Sequence, residues 1–212
     1  MLELGVKTLL AYLLGSVLGS LVMGRLRGVD IREQGSGNAG GTNALRTQGW
    51  RFALGVVVID VGKALIAVGW LPGVALPFVD VDPTLDRQWL AVACAAAVVI
   101  GHVYPVWHEF RGGKGMATLI GAVGVLAPAS LLPVIGVWLA VVMLTGYVGL
   151  GTMLGAASLP VYFALVDPSN AAYLVFAIAM AAFVAFTHRS NISRMLEGNE
   201  NRAKRLWLLR PR

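Results

Sequence analysis

Two glycine-rich segments of the chain carry residue types that bind anions. The first, the glycine segment, is Gly35–Asn43, and Arg46 follows it closely. Glycine tolerates the backbone conformations that aim successive N–H groups at one point, and Arg46 adds a positive charge. The second, the GGKG segment, is Gly112–Gly115 and contains Lys114. Both segments therefore predict phosphate binding.

The spelling of these segments also resembles two nucleotide-binding motifs, and their context excludes both. Gly35, Gly37 and Gly40 match G-x-G-x-x-G, but that fingerprint requires a preceding strand and a βαβ unit. Here an apolar stretch and a polar turn come first. The GGKG segment lacks the Ser or Thr that follows the lysine of a P-loop. No nicotinamide, flavin or other cofactor is predicted.

A third polar segment lies near the C-terminus, where an apolar stretch ends. This C-terminal polar segment, His188–Glu200, contains His188, Asn191, Arg194 and Glu200. Histidine is the commonest side chain in proton transfer, so His188 is a candidate general base. The polar groups around it predict that it belongs to a site.

Long apolar stretches must position these segments. The chain has 212 residues, of which 57% are hydrophobic and only 13% are charged, whereas a soluble domain carries about 25% charged residues. A membrane span needs about 20 apolar residues, so the composition predicts an all-α membrane protein of one domain, residues 1–212. We predict a bundle of seven transmembrane helices, with five or six as alternatives. The predicted spans are Leu4–Met23, Phe52–Leu71, Trp89–Trp107, Met116–Ala129, Leu131–Tyr147, Thr152–Val166 and Ala171–Thr187.

The distribution of basic residues predicts the orientation. Cytoplasmic loops carry an excess of Lys and Arg, and seven spans place 14 of the 17 Lys and Arg residues on one side. The N-terminus is therefore expected outside and the C-terminus inside, with all three polar segments at cytoplasmic span ends. We expect a small bundle to bring them together. The basic tail Arg202–Arg212, with Leu and Trp interleaved, predicts an anchor on membrane lipid rather than a nucleic-acid site.

Polar residues within the spans are further candidates. Asp60 and Lys63 lie mid-span at i, i+3 on one helix face, and an isolated charge there is expensive. They are expected to pair inside the bundle, and Lys63 either faces the substrate cavity or forms a structural ion pair. His102 is either a substrate-binding residue or a hydrogen-bonded structural histidine. No metal site is predicted, because no cysteine is near the histidines and no histidine pair has i, i+4 spacing.

Over essentially its whole length, the chain resembles the bacterial acyl-phosphate:glycerol-3-phosphate acyltransferases, small integral membrane enzymes that begin phospholipid synthesis. The family's seven-span topology, with the N-terminus outside, agrees with the charge distribution. The chain departs from the family at Ala64, where glycine is common, and at Tyr147–Thr152, where serine is common, so no substrate contact is assigned to that turn. The matching motifs are Tyr12–Ser16, Gly35–Asn38, Thr42, Asn43, Arg46, Asp60, Lys63, Gly101, His102, Pro105, Phe110, Gly112–Gly115, Ala117, Thr118, His188, Arg189, Asn191, Ile192, Arg194, Gly198 and Glu200.

The resemblance implies transfer of a fatty acyl group from acyl phosphate to the 1-hydroxyl of glycerol 3-phosphate. The products are lysophosphatidic acid and inorganic phosphate. Both substrates carry a phosphate, which suits a cationic, glycine-lined site at the membrane edge. The His-x4-Asp motif of acyl-CoA acyltransferases is absent from the sequence. A monomer in the bacterial inner membrane, with its active site facing the cytoplasm, is expected.

The roles of the candidate residues follow from this chemistry. One phosphate is expected at the glycine segment and the other at the GGKG segment, and which takes which stays open. The proton acceptor is His188 or a substrate phosphate oxygen, and Ser36 is an alternative acyl-enzyme nucleophile. The candidate catalytic residues are His188, Ser36, Arg46 and Lys114. The candidate substrate-binding residues are Gly35, Gly37, Asn38, Gly40, Thr42, Asn43, Lys63, His102, Gly112, Gly113, Gly115, Thr118, Asn191, Arg194 and Glu200.

Two other functional classes fit the sequence less well. A transporter or channel for a phosphorylated metabolite also uses polar half-helix ends, but both glycine-rich segments lie on one side and the two halves show no inverted repeat. A CDP-alcohol phosphotransferase requires an Asp-rich metal motif, which this sequence lacks.

Overall fold

The chain folds into helices joined by short loops. The computed structural model describes residues 1–209, and within them the only pairing of extended backbone is a single bridge between Leu76 and Val79. A π-helical turn, Ile66–Trp70, and a 3-10 turn, Leu71–Gly73, extend the fourth helix. The α-helices are α1 Leu2–Gly15, α2 Gly19–Arg25, α3 Gly41–Gln48, α4 Trp50–Leu65, α5 Arg87–Val103, α6 Met116–Leu126, α7 Leu131–Thr145, α8 Val148–Val166, α9 Ala171–Thr187 and α10 Arg189–Leu196.

The prediction of an all-α membrane protein is confirmed, and the helices refine its spans. Between residues 1 and 209, four helical stretches are long and apolar enough to cross a membrane. The number rises to six if two bent pairs, α1 with α2 at 45° and α9 with α10 at 52°, each form one span. The predicted span Met116–Ala129 instead ends at Leu126, after 11 residues. This helix is about 16 Å long, roughly half the hydrocarbon thickness of a bilayer. The count of seven spans stays a prediction.

The first compact unit, Met1–Pro128, contains both glycine-rich segments. Its helices approach closely at glycines, as is usual in membrane proteins. A Cβ atom on Gly15 would overlap the Val98 backbone, and one on Gly101 would overlap the Tyr12 carbonyl oxygen, so α1 and α5 touch along their backbones. A Cβ on Gly121 of α6 would lie 2.7 Å from the Val61 carbonyl oxygen of α4. These crossings fix where α5 ends and α6 begins.

The second compact unit begins at Ala129 and contains the C-terminal polar segment. Helices α7 and α8 meet where Gly155 packs against the Val134 carbonyl oxygen. The described part of the basic tail docks on the end of α7, because Trp207 Nε1 donates to the Leu144 carbonyl oxygen at 3.1 Å. Arg202 stacks between the Tyr147 and Trp207 rings. Residues 210–212 of the predicted lipid anchor lie outside the described residues.

Candidate active site

The glycine segment is a tight loop held by the side chain of Asn43. The side-chain nitrogen of Asn43, Nδ2, donates to the carbonyl oxygens of Ile31 and Gln34 at 2.9 and 3.0 Å. Its Oδ1 accepts from the backbone amide of Ser36 at 3.0 Å. Gly35 and Gly37 have φ of 58° and 71°, in the left-handed region that glycine adopts without strain. Asn43 is 1% exposed, so this predicted substrate ligand lies beneath the loop and shapes it.

The amides that the glycine segment offers to an anion differ from those expected. The Ser36 amide bonds to Asn43, and the Gly37 amide bonds to the Gln34 carbonyl oxygen at 3.0 Å. In contrast, α3 begins after Gly40 without a side-chain cap, and the first N–H groups of any α-helix have no partner within the helix. The backbone amides suited to an anion are therefore those at the start of α3.

Polar side chains surround the open end of α3. Ser36 and Thr42 are exposed, and a Cβ on Gly40 would lie 2.7 Å from Asn38 Nδ2, which places the Asn38 amide over this turn. Arg46 follows Thr42 by one helical turn and is also exposed. Among the hydrogen bonds of residues 1–209, Ser36 takes part through its backbone amide, and its hydroxyl donates to no histidine or carboxylate that could act as the base of an acyl-enzyme nucleophile.

The GGKG segment folds back on the end of α5. The amides of Gly112 and Gly113 donate to the carbonyl oxygens of Val103 and His102, each at 3.1 Å. A Cβ on Gly112 would overlap the His102 carbonyl oxygen, and a Cβ on Gly113 would overlap the His102 ring. Only glycine fits at these two positions.

Lys114 lies at the open N-terminus of α6. Gly115, at φ 90°, is the N-cap of this helix and no side chain caps it. Lys114 is partly buried next to this end, where the helix dipole already favours an anion. The Thr118 hydroxyl is fully buried and has no hydrogen-bond partner among residues 1–209. Thr118 therefore does not present its hydroxyl to solvent, unlike Thr42.

Arg32 links the turn before the glycine segment to the residue before the GGKG segment. Its guanidinium forms an ion pair with Asp30 at 2.7 Å and donates to the Arg111 carbonyl oxygen at 3.4 Å. The hydrogen bond from Arg32 holds the pKa of the Asp30 carboxyl below its usual range, and the same bond raises the pKa of Arg32. The sequence analysis did not predict this link. The Asp30-Ile31-Arg32 triplet, which is separated from the glycine segment by two residues, was the feature that indicated an ion pair there.

Lys63 and His102 lie among protein groups in the interior of the first unit. The Lys63 ammonium donates to the carbonyl oxygens of Gly15 and Val17 at 2.8 and 2.7 Å. It also contacts His102 Nδ1 at 2.9 Å and Asp60 Oδ1 at 3.1 Å. These contacts engage all three ammonium hydrogens, so the alternative of a structural ion pair describes Lys63 better than a substrate contact does.

The C-terminal polar segment is organised around the junction of α9 and α10. His188 ends α9, is 5% exposed, and its Nδ1 lies 2.8 Å from the Val184 carbonyl oxygen. Glu200 accepts from Asn191 Nδ2 at 2.9 Å and from Arg194 Nε at 2.7 Å. The carboxylate of Glu200 thereby fixes two candidate ligands rather than presenting itself to an anion. Asn191 also packs on Gly149, where a Cβ would lie 2.9 Å from its amide nitrogen.

No group of three or more His, Cys, Asp or Glu side chains suited to a metal ion occurs between residues 1 and 209. The Asp30 carboxylate pairs with Arg32, and the Glu200 carboxylate pairs with Arg194 and Asn191.

The Asn43→Asp substitution tests the loop-holding role of this side chain. Aspartate has the same shape but loses both donors to Ile31 and Gln34, which costs about 2 to 3 kcal/mol when each buried hydrogen bond contributes about 1 to 1.5 kcal/mol. We expect amide exchange in residues 31–37 to accelerate by at least about tenfold, since about 1.4 kcal/mol corresponds to tenfold. Gln48→Glu is the matched control, because the Gln48 side chain donates to the side chain of Gln34, at 2.8 Å, and not to the loop backbone. Equal exchange in both variants would contradict the role given to Asn43.

The described residues form a helical protein with several helices apolar enough to cross a membrane, and no side chain caps the N-termini of α3 and α6 in its first unit. A family model described as glycerol-3-phosphate acyltransferase matches residues 6–198. The chain is 39% identical to the glycerol-3-phosphate acyltransferase of Chlorobaculum parvum, with 91% of this chain and 93% of that relative covered. It is 42% identical to that of Clostridioides difficile, with 91% of each covered. The chain belongs to the glycerol-3-phosphate acyltransferase family.

Solved structures agree with this assignment. The crystal structure of PlsY (YgiH), an integral membrane glycerol 3-phosphate acyltransferase, in its glycerol 3-phosphate form, matches with a TM-score of 0.80 and 33% identity. The match covers 94% of each chain. The lysophosphatidic acid form of the same protein matches with a TM-score of 0.78.

Proposed function

We propose that this enzyme transfers a fatty acyl group from acyl phosphate to the 1-hydroxyl of glycerol 3-phosphate, giving lysophosphatidic acid and inorganic phosphate. The observation that supports it is the pair of uncapped helix N-termini, α3 with Arg46 and α6 with Lys114. They belong to one compact unit, and Arg32 joins the chain before each of them. Two anion sites suit a reaction in which both substrates carry a phosphate.

Each of the two substrate phosphates binds at a different helix N-terminus. The start of α3 with Arg46, Thr42, Ser36 and Asn38 binds one phosphate, and the start of α6 with Lys114 binds the other. Acyl phosphate is a mixed anhydride and already activated, so the main work of the protein is to position two anions that repel each other. The same donors stabilise the oxyanion and the departing phosphate.

The C-terminal polar segment supplies the contacts to the acceptor. Asn191 and Arg194 bind glycerol 3-phosphate, and Glu200 keeps both in place through its two carboxylate oxygens. His188 is the proton acceptor. Its Nδ1 faces the Val184 carbonyl oxygen, which only accepts a hydrogen bond, so in the neutral ring the proton is on Nδ1 and the basic lone pair on Nε2.

The transfer step balances with these groups. The 1-hydroxyl oxygen of glycerol 3-phosphate bonds to the acyl carbon, and the bond from that carbon to the phosphate oxygen breaks. The hydroxyl proton passes to His188 Nε2, and the phosphate leaves with the bonding electrons. The protonated His188 then gives this proton to the departing phosphate, which returns the ring to its neutral form. No cofactor takes part in this step, and no acyl-enzyme forms on Ser36.

We also propose the membrane arrangement that the charges favour. Seven crossings, with α6 as a short one, place the N-terminus outside and the C-terminus inside, in the inner membrane of a bacterium. Most Lys and Arg residues then face the cytoplasm, as cytoplasmic loops prefer. A monomer carries all the groups named above.

One assay separates the proposed reaction from its competitors. Protein purified in detergent is given glycerol 3-phosphate with either palmitoyl phosphate or palmitoyl-CoA, and phosphate release and lysophosphatidic acid are measured. Product from palmitoyl phosphate alone supports the proposal, and product from palmitoyl-CoA alone contradicts the donor. Failure to form product with either donor, together with flux of glycerol 3-phosphate or phosphate across proteoliposomes, would establish a transporter instead.

A further inference from the structure

The first membrane span is broken in its interior, and the break leaves backbone polar groups at two helix ends without partners in a helix. Helix α1 ends at Gly15, and α2 begins at Gly19 after a bend of 45°. The last carbonyl oxygens of α1 and the first amides of α2 therefore lack the partners that a continuous helix would give them. Gly15, Ser16 and Leu18 are all buried. These polar groups must be satisfied by other parts of the protein.

An ion pair from α4 satisfies both ends of the break. Lys63 donates to the Gly15 and Val17 carbonyl oxygens at 2.8 and 2.7 Å, at the negative end of α1. Asp60 Oδ1 accepts from the Gly19 amide at 3.1 Å, at the positive end of α2. The two side chains are 4% and 1% exposed and lie 3.1 Å apart. Each charge thus has the sign that complements the helix dipole it faces.

His102 connects this ion pair to the GGKG segment. Its Nδ1 lies 2.9 Å from Lys63 Nζ and 3.3 Å from Asp60 Oδ1. The carbonyl oxygen of the same residue accepts from the Gly113 amide at 3.1 Å, and its ring fills the space next to the Gly113 Cα. Gly113 directly precedes Lys114. A continuous set of contacts therefore runs from the break in the first span to the residue before the proposed phosphate-binding lysine.

The loop after α5 is fastened to the same broken helix by a second set of bonds. The Tyr12 hydroxyl donates to the Tyr104 carbonyl oxygen at 2.8 Å. The Ser16 hydroxyl donates to the Tyr12 carbonyl oxygen at 3.0 Å and accepts from the Val106 amide at 3.3 Å. Residues 104–115 thus depend on the position of the end of α1, which Lys63 holds.

We propose that Asp60, Lys63 and His102 act as positioning residues, which hold the break in the first span and through it set the position of the GGKG segment. They do not touch substrate. Lys63 holds the end of α1 and Asp60 holds the start of α2. His102 contacts both of these side chains and also binds Gly113, so the position of Gly113 depends on them. The kinetic consequence rests on the proposed function, because it assumes that the GGKG segment binds a phosphate. The structural consequence does not.

The test is a double-substitution cycle on the ion pair. Asp60→Asn and Lys63→Met each leave one uncompensated buried charge, whereas the double variant leaves none and keeps the side-chain sizes. We expect each single variant to lower the melting temperature in detergent and the double variant to regain most of it. Methionine cannot donate to the Gly15 and Val17 carbonyl oxygens, however. We therefore expect amide exchange in residues 104–115 to stay at least about tenfold faster in the double variant than in the wild type.

The kinetic readout divides the effect between substrate binding and turnover. In the double variant we expect KM for one of the two phosphate substrates to rise about tenfold or more, with a smaller change in kcat, because the chemical groups themselves remain. A role in stability alone would restore KM together with the melting temperature. That result, or wild-type exchange in residues 104–115 of the folded double variant, would overturn the proposal.

The other end of α1 provides a matched control. Glu3 and Lys7 form a second buried ion pair at 2.8 Å, and both are 2% exposed. We expect the Glu3→Gln/Lys7→Met double variant to lower the melting temperature while leaving KM and the exchange of residues 104–115 unchanged. Equal loosening of residues 104–115 in this control would also contradict the proposal. If wild-type protein shows no acyl transfer at all, the exchange results still decide whether Asp60 and Lys63 position the segment.

Discussion

Replacing Lys114 with alanine should lower kcat/KM by a factor of about 100 to 1000, the usual cost of removing one preorganised donor from a charged transition state. The reason is its place at the open N-terminus of α6, where a charge-assisted hydrogen bond to phosphate adds to the helix dipole. The value of kcat/KM is obtained from the rate of phosphate release from palmitoyl phosphate at saturating glycerol 3-phosphate. The melting temperature of the variant, measured in parallel, separates a loss of activity from a loss of the fold.

Arg111 supplies the control for the loss of charge. It lies three residues before Lys114 and is exposed, and its backbone rather than its side chain accepts the bond from Arg32. Arg111→Ala removes the same charge from the same loop and should change kcat/KM by less than about threefold, as expected for an exposed charge. Equal losses in the two variants would indicate a general electrostatic effect and not a bound phosphate.

Arg46 extends the same test to the other phosphate. Arg46→Ala should reduce kcat/KM to a similar degree as Lys114→Ala, with Arg51→Ala as its control, since Arg51 is exposed on the next helix and stacks on Trp50. The two active-site variants should differ in which substrate shows the raised KM. That difference decides which helix end binds acyl phosphate. Near wild-type turnover in both would refute the assignment of two anion sites.

The sequence predicts which polar segments form the site but could not divide their residues by role. Arg46 and Asn43 lie on the same short helix, and both are polar residues of one motif. Asn43 turns inward because its partners are the Ile31 and Gln34 carbonyl oxygens, 12 and 9 residues earlier in the chain. A residue that binds a ligand and one that shapes the loop need the same chemistry, so only the tertiary contacts separate them.

Lys63 illustrates the same limit over a longer distance. Its mid-span position predicts a buried, paired charge, and the pair with Asp60 is found. Its other partners, Gly15 and Val17, lie 48 and 46 residues away, and they are available only because the first span breaks. Hydropathy does not reveal that break, since Leu4–Met23 is mostly apolar, with Lys7 as its one charged residue, and contains no proline. The helix count was limited in the same way, because α6 is apolar but only 11 residues long.

The last prediction concerns His188, and its most informative variant is His188→Asn. The asparagine amide nitrogen occupies the place of Nδ1 and can keep the bond to the Val184 carbonyl oxygen, which in the native ring is 2.8 Å long. It has no counterpart of Nε2, so the variant removes the proposed base and keeps the hydrogen bond to Val184. General base catalysis contributes a factor of about 100 to 10,000, and we expect kcat to fall by at least about 100-fold with a small change in KM. His108→Asn, at a histidine outside the C-terminal polar segment, should leave kcat within about threefold.

The pH profile then distinguishes the two proton acceptors. If His188 takes the proton, kcat of the wild-type enzyme should fall as the pH drops and the imidazole becomes protonated, and this decline should be absent from the His188→Asn variant. If an oxygen of a substrate phosphate takes the proton instead, the variant should retain the same decline and lose less than about tenfold in kcat, with its main effect on KM. The second outcome would remove His188 from the chemical step and leave it as a contact for glycerol 3-phosphate.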